Sequence, residues 1–374
     1  MKNILVIAGE DSGDMHGADV LHVLKEKCPE LSVWGIGGEK LRAEGMELLH
    51  DTQEMDVLGI VEVLKRYPFF KRVFNEVLAE ADSRKPDAAL LIDYPGFNLR
   101  LAKELKKRGI KVLYYVCPQV WAWNRGRIPK MAQIIDRLMV IFPFEVEVFK
   151  DVDLQVDFVG HPMVDELREL RGKDPEPLPW GAEKKIALLP GSRKQEIRYI
   201  LEPLLETAQL LENSRPDLSF IIPVPERRLA LVEEVLQKSK KAPRRVSVIV
   251  GQSREVLRQA DAAFVASGTA TLEAALLHCP TVLVYRGGLL NELFVRLLIR
   301  IPWLGIANII SNKEIMPERL QRDMEPMKLA ATIDPLMNDT LARATMLENF
   351  QTLEKLLGSG KPAARVAQII ADSI

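Results

Sequence analysis

The chain has 374 residues, 47% of them hydrophobic and 28% charged; at roughly 150 residues per domain this supplies two or three domains with sizeable cores and excludes a small binding module or a disordered chain. Lys+Arg 51 against Asp+Glu 52 leaves a net charge of -1, so no whole-molecule positive field recruits nucleic acid and any anionic partner has to be bound locally. Cys28, Cys117 and Cys279 are far apart and in no CxxC spacing, which argues against a disulfide framework or a zinc site and fits a reducing compartment.

The first apolar run, Ile4 to Gly9, is followed at once by Glu10, Asp11 and Asp14, too short and too acidic for a signal peptide. It reads as a strand, Ile4 to Ala8, leading through "GEDSGDMHGA" (Gly9 to Ala18) into a helix ending near Lys27. Glu10, Asp11, Ser12 and Asp14 place acceptors there that repel phosphate and attract hydroxyls. Met55 to Leu78 has apolar residues on more than one face, among them Val57, Leu58, Val61, Leu64, Phe69 and Phe70, with Lys65, Arg66, Lys71 and Arg72 around a break at Pro68. That composition suits either docking on an anionic bilayer or an ordinary core helix. The strand Ala88 to Ile92 then runs into "DYPGFN", where Asp93 sits at a strand's carboxyl end. It is placed to be a partly desolvated general base or the N-cap of the next helix.

After the strand Lys111 to Val116 comes "CPQVWAWNRGR", in which Trp121 and Trp123 suit stacking on a sugar as well as core packing. A strand Leu138 to Phe142 follows; Asp151 to Asp153 reads as a solvated turn, and His16 and His161 as structural hydrogen-bonding residues. From Glu166 to Gly181 the alternation lapses into a charged, proline-bearing stretch, the expected linker. It restarts with the strands Lys185 to Leu189, Leu218 to Ile222, Val246 to Val250, Ala262 to Ala266 and Thr281 to Tyr285. The reading is therefore α/β: two Rossmann-like, doubly wound parallel-sheet domains facing a cleft, spanning 1–165 and 183–340, a linker at 166–182, and helices at 341–374 that pack back on the first domain or exchange in a homodimer.

Two loops of the second domain suit an anion. "PGSRKQEI" (Pro190 to Ile197) brings Gly191, a capping Ser192 and Arg193 to a helix start, which a well-capped helix with a surface arginine would also explain. "SGTATLEA" offers Ser267, Gly268, Thr269, Ala270 and Thr271 at a helix N-terminus, with Glu273 one turn on, where a carboxylate can take the vicinal hydroxyls of a ribose. Together they favour a nucleoside diphosphate; neither is a Walker A or GxGxxG loop. The apolar stretch Leu293 to Ile310 is interrupted by Arg296 and Arg300 and falls short of a membrane span; Leu290, Leu293, Phe294, Leu297, Leu298 and Ile301 form a second apolar stripe at helical spacing.

"GEDSGDMHGA", "DYPGFN", "PQVWAWNRGR", "IFPFE", "FVGHP", "LLPGSRKQEI", "ASGTATLEA" and "NII" resemble, in order and spacing, the lipid A disaccharide synthase family of two-domain GT-B glycosyltransferases. The resemblance runs from near residue 9 past residue 310, with Asp11 where the family usually has alanine and Cys117 where it usually has serine. It implies an inverting transfer from UDP-2,3-diacylglucosamine to 2,3-diacylglucosamine 1-phosphate, with a β-1,6 linkage formed and UDP released. UDP would then be held by Ser192, Arg193, Ser267 to Thr271, Glu273 and Asn308, with no metal and no cofactor. Asp93 would be the base, with Glu10 in reserve, and Ser12, Asn98, Gln119, Trp121 and Trp123 would face the acceptor. The acyl chains of both substrates imply a cytoplasmic protein peripherally associated with the anionic inner-membrane surface. The alternatives left open are a peptidoglycan N-acetylglucosaminyltransferase, a UDP-N-acetylglucosamine 2-epimerase, and a non-catalytic nucleotide-sugar sensor.

Overall fold

A computed structural model describes residues 2–55, 66–288, 302–338, 340–358 and 360–374, without the Trp123 side chain. The chain divides into two compact units, one formed by Met1–Pro162 with Gly360–Ile374, the other by Met163–Ser359.

The first unit runs β1 (Asn3–Ala8), α1 (Asp11–Lys27), β2 (Ser32–Gly37), α2 (Glu39–Ala43), β3 (Glu47–Asp51), α3 (Thr52–Met55), α4 (Tyr67–Arg84), β4 (Ala88–Ile92), α5 (Pro95–Lys107), β5 (Lys111–Tyr115), α6 (Val120–Trp123), α7 (Ile128–Ile134), β6 (Arg137–Val140), α8 (Phe144–Val148) and β7 (Gln155–Phe158). Its seven strands are all parallel in the order β3-β2-β1-β4-β5-β6-β7. β1 and β4 consist almost wholly of buried apolar residues, as strands covered on both faces must. One face carries Trp34, Val77, Leu101 and Tyr114; the other carries Leu21, Leu24, Tyr115 and the C-terminal residues Val366, Ala367 and Ile370.

The second unit runs α9 (Pro162–Gly172), β8 (Lys184–Leu189), α10 (Lys194–Ser214), β9 (Leu218–Val224), α11 (Leu229–Lys238), β10 (Val246–Val250), α12 (Ser253–Gln259), β11 (Ala262–Ala266), α13 (Thr269–Leu276), β12 (Thr281–Tyr285), α14 (Ile306–Ser311), β13 (Glu318–Leu320), α15 (Pro326–Ile333) and α16 (Leu341–Leu356). The final helix, α17 (Pro362–Ala371), returns to the first unit. Six parallel strands lie in the order β10-β9-β8-β11-β12-β13. Each sheet therefore reverses its strand order once, between β1 and β4 and between β8 and β11. Such reversal points leave a crevice at the strands' carboxyl ends.

Three segments differ from what periodicity suggests. The first part of the expected linker is the helix α9, and only 173–183 lacks regular structure. That segment is strapped to α12: the Arg258 guanidinium donates to the carbonyls of Leu170, Lys173 and Asp174, and the Gln259 amide to that of Glu176. Pro68, expected as a break, lies instead in the first turn of α4, where its missing N–H is no loss. The 341–374 segment divides, because α16 buries Met346, Phe350 and Leu353 in the second unit, whereas α17 lies on the α1 face of the first. Among the described residues no helix is long and apolar enough to cross a membrane.

Candidate active site

The reversal point of the first sheet brings the loops after β1 and β4 side by side, since Ala8 pairs with Ile92. The next residues are Gly9 and Glu10 on one strand and Asp93 and Tyr94 on the other. Asp93 and Tyr94 both have left-handed backbone, with φ of 44° and 48°, a conformation that costs a non-glycine residue about 1 kcal/mol or more. The surroundings enforce it. The Asp93 amide donates to the Tyr115 carbonyl at 2.9 Å, and the Asp93 carbonyl accepts from Tyr114 Oη at 2.6 Å and Asn98 Nδ2 at 2.8 Å. The Tyr94 ring lies over Gly9 so closely that a Cβ there would meet Cδ1 at 2.5 Å. Glycine at residue 9 is thus what lets Glu10 and Asp93 share one end of the sheet.

Burial raises the Asp93 carboxyl to about 6, with repulsion from Glu10 adding to it and the Tyr94 amide opposing it. A carboxylate so tuned is still largely ionised at neutral pH and is a stronger base than a free aspartate. Ser12 and Gln119 are exposed. Asn98 and Trp121 are not: Asn98 is 0% exposed and clamps the Ile92 and Asp93 carbonyls. Trp121 is packed edge-on against Phe144 and donates to Glu145. Both support the loops and present no face to a ligand. The same is true of Asp14, whose carboxylate accepts the Gly38, Lys40 and Leu41 amides at the start of α2 and does not add to the acid-rich loop surface.

The reversal point of the second sheet carries the other two loops. Gly191 has φ +100°, and a Cβ there would lie 2.5 Å from Glu196 Oε2. Glu196 turns back from the first turn of α10 and accepts the amides of Ser192 and Arg193 at 3.2 and 3.1 Å, while Arg193 Nη1 donates to Oε1 at 2.9 Å. Ser192 therefore does not cap the helix; Arg193 holds that position, its side chain 83% exposed. After β11, Gly268 and Thr269 are exposed at the start of α13, while Thr271 is buried with its hydroxyl closed onto the Gly268 carbonyl at 2.8 Å. Arg254 donates to Glu273 Oε1 at 2.8 Å and fixes that carboxylate.

Asn308 has a different role. Its amide donates to Met316 O and Glu318 Oε1, and its Oδ1 accepts from the Ile315 and Met316 amides. With every hydrogen-bonding site taken inside the fold, it shapes the 305–318 turn and has nothing left to offer a nucleotide.

Two cations escaped sequence reasoning. Arg228, after β9, donates from Nε to the Ser192 carbonyl at 2.9 Å, and Arg286 directly follows β12. With Arg193, Lys194, Tyr199 and Tyr285 they line a cavity of about 300 Å³. The strand order β9-β8-β11-β12 is what gathers these residues along one carboxyl edge.

On the first unit, Val57, Leu58, Val61, Leu64 and Lys65 lie outside the described residues, as does the apolar stripe from Leu290 to Ile301. At the start of α4, Tyr67 is 54% exposed, Phe69 and Phe70 are half-buried, and Lys71 and Arg72 are exposed. The Arg66 and Arg72 guanidinium groups lie 4.6 and 5.5 Å from the Phe69 ring centre.

A family model described as lipid-A-disaccharide synthetase matches residues 4–369. The lipid-A-disaccharide synthase of Anaeromyxobacter dehalogenans is 39% identical over 98% of this chain and 96% of that protein. Among solved structures, the glycotransferase of kitacinnamycin aligns with TM-score 0.67 at 15% identity over 100% of this chain and 99% of that one. The S. aureus MnaA-UDP co-structure aligns with TM-score 0.66 at 13% identity over 100% and 98%. At these identities the structural matches show the fold alone.

Proposed function

The chain belongs to the lipid-A-disaccharide synthetase family, and from that membership we propose that it transfers the sugar of UDP-2,3-diacylglucosamine to the 6-hydroxyl of 2,3-diacylglucosamine 1-phosphate. The observation that carries this reading is the pair of switch-point sites: a carboxyl raised to about 6 on the first unit and an arginine-lined cavity on the second. Asp93 takes the proton of the acceptor hydroxyl as its oxygen forms a bond to the anomeric carbon. The bond from that carbon to the diphosphate oxygen breaks on the opposite side, so the centre inverts and UDP leaves with the electron pair. Arg193, Arg228 and Arg286, with the start of α13, where Gly268 and Thr269 are exposed, oppose the charge that builds on the leaving diphosphate. Glu273, oriented by Arg254, is the acceptor for the ribose hydroxyls. The test is UDP release that requires the acceptor.

Arg228→Gln and Arg286→Gln are each expected to weaken UDP binding by roughly 10- to 150-fold, the effect of one charge-assisted contact worth roughly 1.5–3 kcal/mol. Calorimetric titration with UDP measures it, and unaltered affinity in both variants would remove this cavity from the donor site.

The start of α4 supports docking on an anionic bilayer, because exposed Tyr67 and half-buried Phe69 and Phe70 stand among Arg66, Lys71 and Arg72. The full chain is expected to co-sediment with anionic liposomes at low salt. Charge reversal at Arg66, Lys71 and Arg72 is expected to abolish that binding; a wild-type chain left in the supernatant would refute it.

A further inference from the structure

The helix α9, which stands where a linker was expected, reaches the nucleotide side of the second unit. Glu166 on α9 accepts from Arg254 Nη1 at 3.0 Å, while Arg254 Nε donates to Glu273 Oε1 at 2.8 Å. Arg254 stands in the first turn of α12 and Glu273 in α13. One guanidinium therefore holds two carboxylates and joins three helices. The group is partly shielded from water, with the Glu273 side chain 14% exposed, Glu166 30% and Arg254 39%.

α9 is a firm base for this contact. Arg168 and Arg171, further along it, donate to Glu354 of α16 at 3.0 and 2.9 Å. Arg171 Nη1 also lies 2.7 Å from Nε2 of His278, two residues past the end of α13. The Leu170 carbonyl accepts from Arg258 of α12 at 2.6 Å. Glu166 is thus held in place by contacts other than its own with Arg254.

An arginine beside a carboxylate frequently closes on both of its oxygens as a two-pronged pair. Here Nη1 is committed to Glu166, and Arg254 grips Glu273 through Oε1 alone. Among the described residues no donor reaches Glu273 Oε2, the oxygen left for a ligand hydroxyl. We propose that Glu166 is a positioning residue for the nucleotide: by holding Arg254 it keeps one oxygen of Glu273 open to the ribose hydroxyls. This rests on the assignment of Glu273 to the ribose. Without Glu166, Arg254 closes on both Glu273 oxygens and the ribose loses its acceptor, while Arg193, Arg228 and Arg286 still face the diphosphate.

The test is calorimetric titration of the full chain with UDP and with 2′,3′-dideoxy-UDP, which lacks both ribose hydroxyls. The wild type is expected to prefer UDP by roughly tenfold or more, the effect of hydrogen bonding to a charged group. E273A is expected to bind the two nucleotides alike. E166A is expected to shrink the preference to about threefold or less by weakening UDP alone, its affinity for the dideoxy nucleotide staying within about twofold of the wild type. Glu166→Gln keeps an acceptor for Nη1 and is expected to restore the preference. The double variant E166A/E273A is expected to bind UDP no more weakly than E273A, as for residues acting through one another. A preference lost in E273A but kept in E166A overturns the proposal, and so does an E166A that weakens both nucleotides alike, the mark of a merely structural role. Failure of the ribose assignment shows separately, as a preference that survives in E273A or is absent from the wild type, and would take the proposal with it.

Discussion

Asp93→Asn is expected to lower acceptor-dependent transfer by roughly 10²–10⁴-fold, the usual contribution of a positioned general base, while leaving UDP affinity unchanged. The amide fits the same space and leaves the main-chain clamps from Tyr114 and Asn98 in place. What it removes is the site for the proton. In the wild type the active form is the carboxylate, so activity is expected to rise with pH through about 6, the value to which burial and Glu10 lift Asp93. The same variant is expected to gain stability. A carboxyl raised from its unfolded value leaves the fold fully stable below that value and destabilises it as pH rises through the folded one, whereas asparagine carries no such dependence. Above pH 6 the gain is on the order of 1–2 kcal/mol after allowance for solvent screening, and it vanishes in acid. Loss of rate with gain in melting temperature at pH 7 is the signature of a functional group held at a cost. Loss of both would mark Asp93 as a structural cap.

Arg193→Ala is expected to reduce turnover by roughly 10²-fold, in the range found when one preorganised donor to a developing oxyanion is removed. The side chain is 83% exposed, and its partner Glu196, three residues on and 13% exposed, keeps the Ser192 and Arg193 amides when the guanidinium is gone, so its removal is expected to have little effect on folding. Glu196 occupies the two amides and the guanidinium that a diphosphate oxygen would use. Donor binding is therefore expected to exchange that carboxylate for phosphate. Lysine at this position restores charge without the forked geometry, so Arg193→Lys should recover only part of the rate. Steady-state kinetics beside UDP titration separates the two effects: a variant with normal turnover and weakened UDP binding would place Arg193 in ground-state binding alone.

The four loops of the proposed site were legible because each follows a strand of nearly unbroken apolar residues, as after Ala8, Ile92, Leu189 and Ala266. β2 was not legible. Its "SVWGIG" holds two glycines, and glycine ordinarily argues against a strand. Here Gly35 is required, since a Cβ would lie 2.0 Å from the Val6 carbonyl oxygen. The short edge strands β3, β7 and β13 gave no period to read. Roles within motifs were also beyond sequence. Asn98, Trp121 and Asn308 sit in motifs that the sequence singles out, but their hydrogen bonds turn inward, and only packing decides that. Arg228 and Arg286 stood unmarked among 51 basic residues until sheet order placed the ends of β9 and β12 near that of β8.

The most direct test of transfer with Asp93 as base is UDP release from UDP-2,3-diacylglucosamine, with and without 2,3-diacylglucosamine 1-phosphate, by wild type and Asp93→Asn between about pH 5 and 8. The expected result is release that requires the acceptor, rises through about pH 6 in the wild type, and is lost in the variant although UDP still binds. Absence of acceptor-dependent release by the wild type would contradict the transfer reaction, and undiminished release by Asp93→Asn would contradict Asp93 as its base and move that role to Glu10.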